Sequence, residues 1–255
     1  MIPDRAAASF WAAFLRNRNV DAGTSADGAI PVAGGYAIYV AGTHLDHALG
    51  AGTTRALRDD DLDVVEEFYA ARAHPARFEL DEAALARDGE LLSSRGYAEE
   101  DVPLAVFEGP VVAGAAPAGR IAVRTTTDRR AWADLATRAF ADTSADADML
   151  RRTIQVEAAA VHGLFIASVN GTDAGTGALV TDGDLAFLMG GAVLPQFRGQ
   201  GVHEALLGAR LAVAHARGAT RASVKTRLGS PVERSAARFG FERTGLRRRV
   251  RRDPV

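Results

Sequence analysis

Residues 193–207, Val-Leu-Pro-Gln-Phe-Arg-Gly-Gln-Gly-Val-His-Glu-Ala-Leu-Leu, hold the residue types and spacing best suited to binding chemistry. An apolar run from Leu185 to Leu194 leads into Pro195, and glycines follow at positions 199 and 201. Apolar residues then recur at Val202, Leu206, Leu207 and Leu211, so the periodicity changes from strand-like to helical at the turn. Glycine lets the backbone approach a ligand with no Cβ in the way. The first N–H groups of the helix lack intrahelical partners and point outward, which makes an anion site, typically for phosphate.

Three phosphate-binding turns compete for this pattern. A nucleotide P-loop ends in Lys followed by Ser or Thr, and the single lysine, Lys225, lies on another segment. A dinucleotide fingerprint carries a third glycine or an alanine three residues after the second, where this chain has Glu204. The third candidate ligand is the pyrophosphate arm of coenzyme A. The turn resembles motif A of the GNAT superfamily of N-acetyltransferases, Arg/Gln-x-x-Gly-x-Gly/Ala after a strand ending in Val-x-Pro. In that register Arg198 opens the motif, Gly201 is its central glycine, and His203 stands where Gly or Ala is expected.

The elements around the turn follow the same family order. Ile121–Arg124 reads as a strand, and a helix runs through Trp132, Leu135 and Phe140. A second helical segment, Ala145–Ala159, leads to the strand Gly163–Ser168 and a hairpin turn at Asn170-Gly171. Further turn signals fall at Asp173–Gly177 and Asp182-Gly183. The helix after the motif extends to about Ala216 and closes at Gly218. A strand at Arg221–Thr226, a helix within Gly229–Phe241 and a last strand from Glu242 complete the order βααβββαβαβ, which is similar to a whole GNAT domain.

The first half is also ordered in its pattern. It reads as a strand at Tyr36–Gly42, a helix at Asp59–Ala73 with acids in its first turn, and a strand at Ala76–Leu80. A helix at Asp81–Ser94 and a strand at Val102–Glu108 follow. Arg95-Gly96-Tyr97 echoes Phe239-Gly240-Phe241, which suggests an internal duplication. The expected organisation is a degenerate GNAT-like half at 1–109, a Pro/Gly-rich linker at 110–118 and a coenzyme-binding GNAT domain at 119–255. The expected fold class is α/β (α+β), with a mixed, mostly antiparallel central sheet flanked by helices in two GNAT-like halves. The first half has no Arg-Gly-x-Gly equivalent, so it is expected to bind no coenzyme.

Composition bounds the rest. The apolar fraction is 47%, enough for a core, and no apolar run reaches the ~18 residues of a membrane span. The start lacks the features of a signal peptide. There is no cysteine, which removes disulfides, thiolate metal sites and a covalent cysteine relay and fits a cytoplasmic protein. The net charge of −2 carries no nucleic-acid footprint. No metal is expected: His44, Asp46 and His47 read as a solvated loop. The run Arg247–Arg252 reads as an edge strand charged against pairing, with a frayed tail, and Trp11 and Trp132 read as core residues.

The resemblance implies that acetyl-CoA is the co-substrate and that Arg198, Gly199, Gln200, Gly201, Val202 and His203 hold its pyrophosphate. It further implies that backbone groups of Gly191, Ala192 and Val193 polarise the thioester, and Gly190-Gly191 within the strand suggests a bulge there. Many relatives carry a tyrosine acid four residues before the last-helix glycine, where this chain has Ala236. No acid or base is assigned: Glu157 and Asp184 are base candidates, and Ser230 and Arg234 are candidates to approach the coenzyme. The expected reaction is direct attack of a primary amine, from a small molecule or a protein, on acetyl-CoA in a ternary complex. The alternative is a catalytically silent coenzyme A-binding regulatory or scaffold protein. No nucleic-acid or membrane partner is expected, and a homodimer is compatible with the sequence.

Overall fold

The computed structural model describes residues 3–19, 27–100, 103–112, 119–143 and 145–254. The chain divides into two units, residues 1–106 with 245–255, and residues 107–244. These boundaries differ from the expected ones, because the last strand groups with the first unit rather than with the second.

In the first unit, α1 (Pro3–Asn19) precedes the hairpin β1 (Gly28–Val32) and β2 (Gly35–Tyr39). Next come β3 (Ala48–Leu49), α2 (Asp59–Ala70), β4 (Ala76–Asp81), α3 (Glu82–Ser94) and β5 (Ala98–Glu99). β1 pairs with β2 and β2 with β3 antiparallel, whereas β3 and β4 run parallel with α2 as their crossover. Helix α2 buries Leu62, Val65, Phe68 and Tyr69, which join Phe78, Leu80, Leu92 and Tyr97 in one apolar cluster. Its start is made by the acids expected there: Asp61 accepts from the Arg58 N–H at 3.0 Å and is also gripped by Arg55.

The last strand of the chain, β12 (Glu242–Arg252), enters this unit at Gly245. Residues 247–252 pair antiparallel with β4, and Arg251 and Val250 pair with β5 on the other side. The expectation of a charged edge strand with a frayed tail is therefore overturned. The flanked stretch 247–252 accommodates its five arginines because each meets a carboxylate. Arg247 bonds buried Asp4 at 2.7 Å, Arg249 bonds buried Glu79 at 3.2 Å, and Arg252 pairs with Glu66. Arg248 reaches Glu99 at 3.8 Å, and Arg251 reaches Asp253.

The loop at 44–47 is likewise not simply solvated. Asp46 and His47 are buried; His47 faces Asp46 at 3.3 Å and Glu79 at 3.5 Å, while His74 and Arg77 also contact Asp46. Burial alone would raise the Asp46 carboxyl. The His47 hydrogen bond and the nearby His47, Arg77 and His74 outweigh it and bring the value down to about 2.

The second unit contains the end of β6 (Leu104–Pro110), β7 (Ile121–Thr126), α4 (Arg129–Phe140) and α5 (Ala147–Ala160). It continues with β8 (Gly163–Val169), β9 (Thr172–Asp182), β10 (Leu185–Val193) and α6 (Val202–Ala216), then β11 (Arg221–Arg227) and α7 (Pro231–Arg238). The strand order is β6-β11-β10-β9-β8-β7. All the registered pairs within this unit are antiparallel except β10 with β11, which are joined by α6. The element order from β7 onward is the βααβββαβαβ expected, and the fold is mixed α/β with mostly antiparallel pairing. The turn expected at Asp173–Gly177 does not form; that stretch is continuous β9. Its glycines serve close contact instead, since a Cβ on Gly175 would sit 2.6 Å from the Ala192 carbonyl oxygen. Among the described residues no helix is long and apolar enough to cross a membrane.

The ion pairs of β12 predict unequal stability losses. Arg247→Ala removes the guanidinium that meets buried Asp4 and should cost about 3 kcal/mol. Arg248→Ala, at a half-exposed pair, should stay within about 1 kcal/mol. Urea unfolding of the two variants beside the parent measures both.

Candidate coenzyme site on the second unit

The site begins with a defect in β10. Its pairs with β9 run in step from Leu185–Asp182 to Met189–Ala178, then resume at Ala192–Thr176. Gly190 and Gly191 together face Gly177, one residue too many, so the strand bulges where the sequence suggested. Gly190 takes φ +57° there, and Thr176 Oγ1 donates to its carbonyl at 3.1 Å. On the other side of β10, registered pairs with β11 run only from Leu185–Arg221 to Leu188–Val224. Among the described residues, Gly190–Val193 form no registered pair with β11.

Two helices hold the bulge from opposite faces. On the α4 face, a Cβ on Gly190 would lie 2.8 Å from the Trp132 ring. The Trp132 indole N–H donates to the Phe165 and Gly177 carbonyls, each at 3.1 Å, so this tryptophan ties β8 to β9 rather than simply filling core. On the α6 face lie Arg210 and His203. Arg210 is fully buried; Nη1 donates to the Met189 carbonyl at 3.2 Å and Nε to the Leu206 carbonyl at 3.0 Å. No ion pair engages it among the described residues, and burial pulls its guanidinium down to about 10. The sequence reading missed Arg210. The available signal was an arginine on the same helical stripe as Leu206, Leu207 and Leu211.

The glycine turn leads from β10 into α6. Pro195–Phe197 form one 3-10 turn, Gly199 adopts φ +73°, and Gly201 adopts φ +85° as the left-handed N-cap of α6. Glycine suits both positions because a side chain there is strained. The cap makes no side-chain hydrogen bond to the helix, which leaves the first-turn N–H groups of α6 without a capping oxygen. Gln200 is occupied by its own turn, donating to the Gln196 carbonyl at 3.0 Å. Arg198 does not reach over the turn: its guanidinium grips Asp142 at 2.5 Å and 3.0 Å, and Nε donates to the Val193 carbonyl at 3.0 Å. It thus ties the end of β10 to the segment after α4. His203 is partly buried, and burial, with the Arg210 charge second, pushes its imidazole down to about 4. The ring is neutral, as a helix N-terminus favours.

The acid and base candidates are dispersed. Ala236 is buried on α7, beside Ser235, which reaches Glu204 of α6 at 3.2 Å; Arg238 meets the same carboxylate at 2.9 Å. Ser230 pairs with Thr226 at 2.8 Å, and Arg234 is exposed. Asp184 stands at the start of β10, six residues before the bulge, and faces Arg221 at 3.4 Å. Glu157, on α5, has its carboxyl raised to about 7 by burial.

In the first unit, the corresponding place between β3 and α2 also holds two glycines of positive φ, Gly50 and Gly52. There, however, α2 opens with Asp59, Asp60 and Asp61. Three carboxylates at a helix start repel a phosphate, and Asp61 already occupies a backbone N–H.

The conformation of the bulge gives a direct test. Gly190→Ala combines a strained positive φ with a collision against Trp132 and should cost about 3 kcal/mol in urea unfolding.

Comparison with known proteins places this site in context. Residues 129–241 match the model of the acetyltransferase (GNAT) family. No curated protein matches the chain in sequence. Among solved structures, a GCN5-related N-acetyltransferase from Kribbella flavida superposes with a TM-score of 0.66 at 16% identity, covering 99% of this chain and 96% of that one. A GCN5-related N-acetyltransferase from Sphaerobacter thermophilus gives 0.57 at 18% identity, covering 81% and 71%. A tandem GNAT protein from the clavulanic acid biosynthesis pathway gives 0.61 at 13% identity, covering 82% and 74%. With its strand bulge, its glycine turn and its order of elements, the segment 129–241 is a domain of the GNAT acetyltransferase family.

Proposed function

We propose that the chain is an acyl-CoA-dependent N-acetyltransferase that passes the acetyl group of acetyl-CoA directly to a primary amine. The observation that carries this reading is the pairing of two backbone features on one strand–turn–helix. Gly190-Gly191 form a bulge in β10 and Gly190–Val193 make no registered pair with β11, while a left-handed Gly201 opens α6 without a side-chain cap. The first offers N–H groups to a thioester carbonyl, and the second offers N–H groups to a pyrophosphate.

The coenzyme would lie on the second unit, with Gly191, Ala192 and Val193 at the thioester. Gly199, Gln200, Gly201, Val202 and His203 would face the phosphates through their backbone. Arg198 serves this site by holding the turn to Asp142, which is a positioning role. The first unit would be a degenerate GNAT-like half that binds no coenzyme, since its corresponding helix starts with three acids. The attack would occur in a ternary complex, because the chain contains no cysteine to carry the acetyl group. The same lack of cysteine fits a cytoplasmic setting. The acceptor would be a small-molecule amine or a protein amino group.

A second reading, a coenzyme A-binding protein without turnover, is favoured by Ala236 at the position where many relatives carry the tyrosine acid. Thiol release in the presence of any amine separates the two.

Calorimetric titration with acetyl-CoA should give one coenzyme per chain. Gly201→Glu places a carboxylate at the phosphate position and should weaken binding by at least about 100-fold, while the strain of its positive φ lowers the thermal melt by several degrees without unfolding the chain. Equal affinity in this variant would remove the glycine turn from the site.

A further inference from the structure

The first unit holds a cleft of about 420 Å³, the size of a small-molecule site, lined by residues of α1, the β1–β2 turn and α2. It is open to solvent past Arg5, Ser9, Pro31 and Val64, all of them exposed. The two-residue turn Ala33-Gly34, with φ +44° and +86°, forms one side. An alanine rarely takes a positive φ; here the Gly52 N–H holds it by donating to the Ala33 carbonyl at 3.1 Å. Helix α1 is seated close on the sheet, since a Cβ on Gly50 would lie 3.1 Å from the Arg5 Cα. The cleft is therefore built from fixed parts.

Its lining charges are Arg5, Arg55 and Asp61, and they do not cancel. Arg55 Nη1 and Nη2 donate to the two Asp61 carboxylate oxygens at 2.6 Å and 2.7 Å, and Asp61 also accepts from the Arg58 N–H. That pair is complete. Arg5 meets no carboxylate among the described residues. Its Nε donates to the Gly34 carbonyl at 3.0 Å, and its Nη groups make no bond there. One guanidinium end, oriented by the turn, thus keeps a full charge and a pair of parallel N–H groups. The rest of the lining is largely apolar. Val64 is 43% exposed and stands outside the buried stripe of α2, and Pro31, Val32 and half-buried Tyr36 line the same cleft.

We propose that this cleft binds a small carboxylic acid with an apolar body, its carboxylate on Arg5 Nη1 and Nη2 and its body against Val64, Pro31 and Tyr36. The end of a guanidinium and a carboxylate match bond for bond. A monoanion cancels the single unmatched charge, whereas a phosphate dianion exceeds it. The apolar body gains by covering Val64, which otherwise faces water. The site lies wholly on the first unit and does not rest on the acetyltransferase reading.

Backbone amide NMR of the full chain, titrated with butyrate, hexanoate, benzoate and hydrocinnamate, tests the site. At least one acid should give saturable shifts at millimolar concentration, centred on Gly34, Gly35, Tyr36 and Val64. Its primary amide, with the same body and no charge, should bind at least about 10-fold more weakly, and benzyl phosphate should bind no more tightly than the acid. Arg5→Gln and Val64→Asp should each weaken the acid about 10-fold, with thermal melts within a few degrees of the parent because both positions are exposed. Arg5→Lys keeps the charge but loses the paired N–H groups, and should stay several-fold weaker than the parent. No saturable shift with any of the four acids, or shifts centred elsewhere, would overturn the inference. So would an amide that binds as tightly as its acid, a phosphate that binds more tightly, or parent-like affinity in both Arg5→Gln and Val64→Asp.

Discussion

The second unit is organised around one extra residue in β10. Because Gly190 and Gly191 share a single opposite neighbour on β9, the strand leaves step after Met189, and its registered pairing with β11 stops at Leu188. Everything near the site is shaped to tolerate or hold that defect. Trp132 presses the Gly190 side and ties β8 to β9 through its indole N–H. Arg210 secures the other side by bonding the Met189 carbonyl. The glycines at 175 and 177 exist because a side chain at either would strike the bulged strand or the arginine. A sheet defect held from both faces is a rigid defect, which is what a catalytic backbone donor requires.

The first unit repeats the same plan without the same chemistry. β2, β3, α2 and β4 repeat the order and pairing of β9, β10, α6 and β11, including the parallel crossover. α3 ends at Gly96-Tyr97 as α7 ends at Gly240-Phe241, with both glycines left-handed. What differs is charge. Where α6 starts with Val202 and His203, α2 starts with three aspartates, and its first N–H groups face carboxylates instead of an open turn. Two units of similar plan can thus differ at a helix start while sharing their packing, because packing depends on the apolar face and anion binding on the first helical turn.

Much of this was legible from local pattern. The glycine turn, the Gly190-Gly191 bulge, the helix start at Asp59–Asp61 and the order of elements in 121–252 all follow from short-range rules of periodicity, capping and glycine placement. The failures were long-range. The arginines of 247–252 read as an exposed edge because, apart from Asp253 beside Arg251, nothing near them in sequence neutralises them. Their partners, Asp4, Glu66, Glu79 and Glu99, lie at least 149 positions away in the chain. Gly175 and Gly177 read as a turn because only the folded sheet brings Ala192 and Arg210 against them. The carboxylate that the Arg198 side chain meets, Asp142, was equally out of sight because it sits on a different segment. Arg210 was hidden by the apolar helix around it.

The central claim is that the bulge and the glycine turn form one coenzyme site. Backbone amide NMR of the isotopically labelled chain, titrated with acetyl-CoA, tests it most directly. The account predicts that the largest amide shifts fall together on Gly190–Val193 and Gly199–Glu204, with the first turn of α2 unmoved. Shifts centred on the start of α2, or none in either β10 or α6 at millimolar coenzyme, would contradict it.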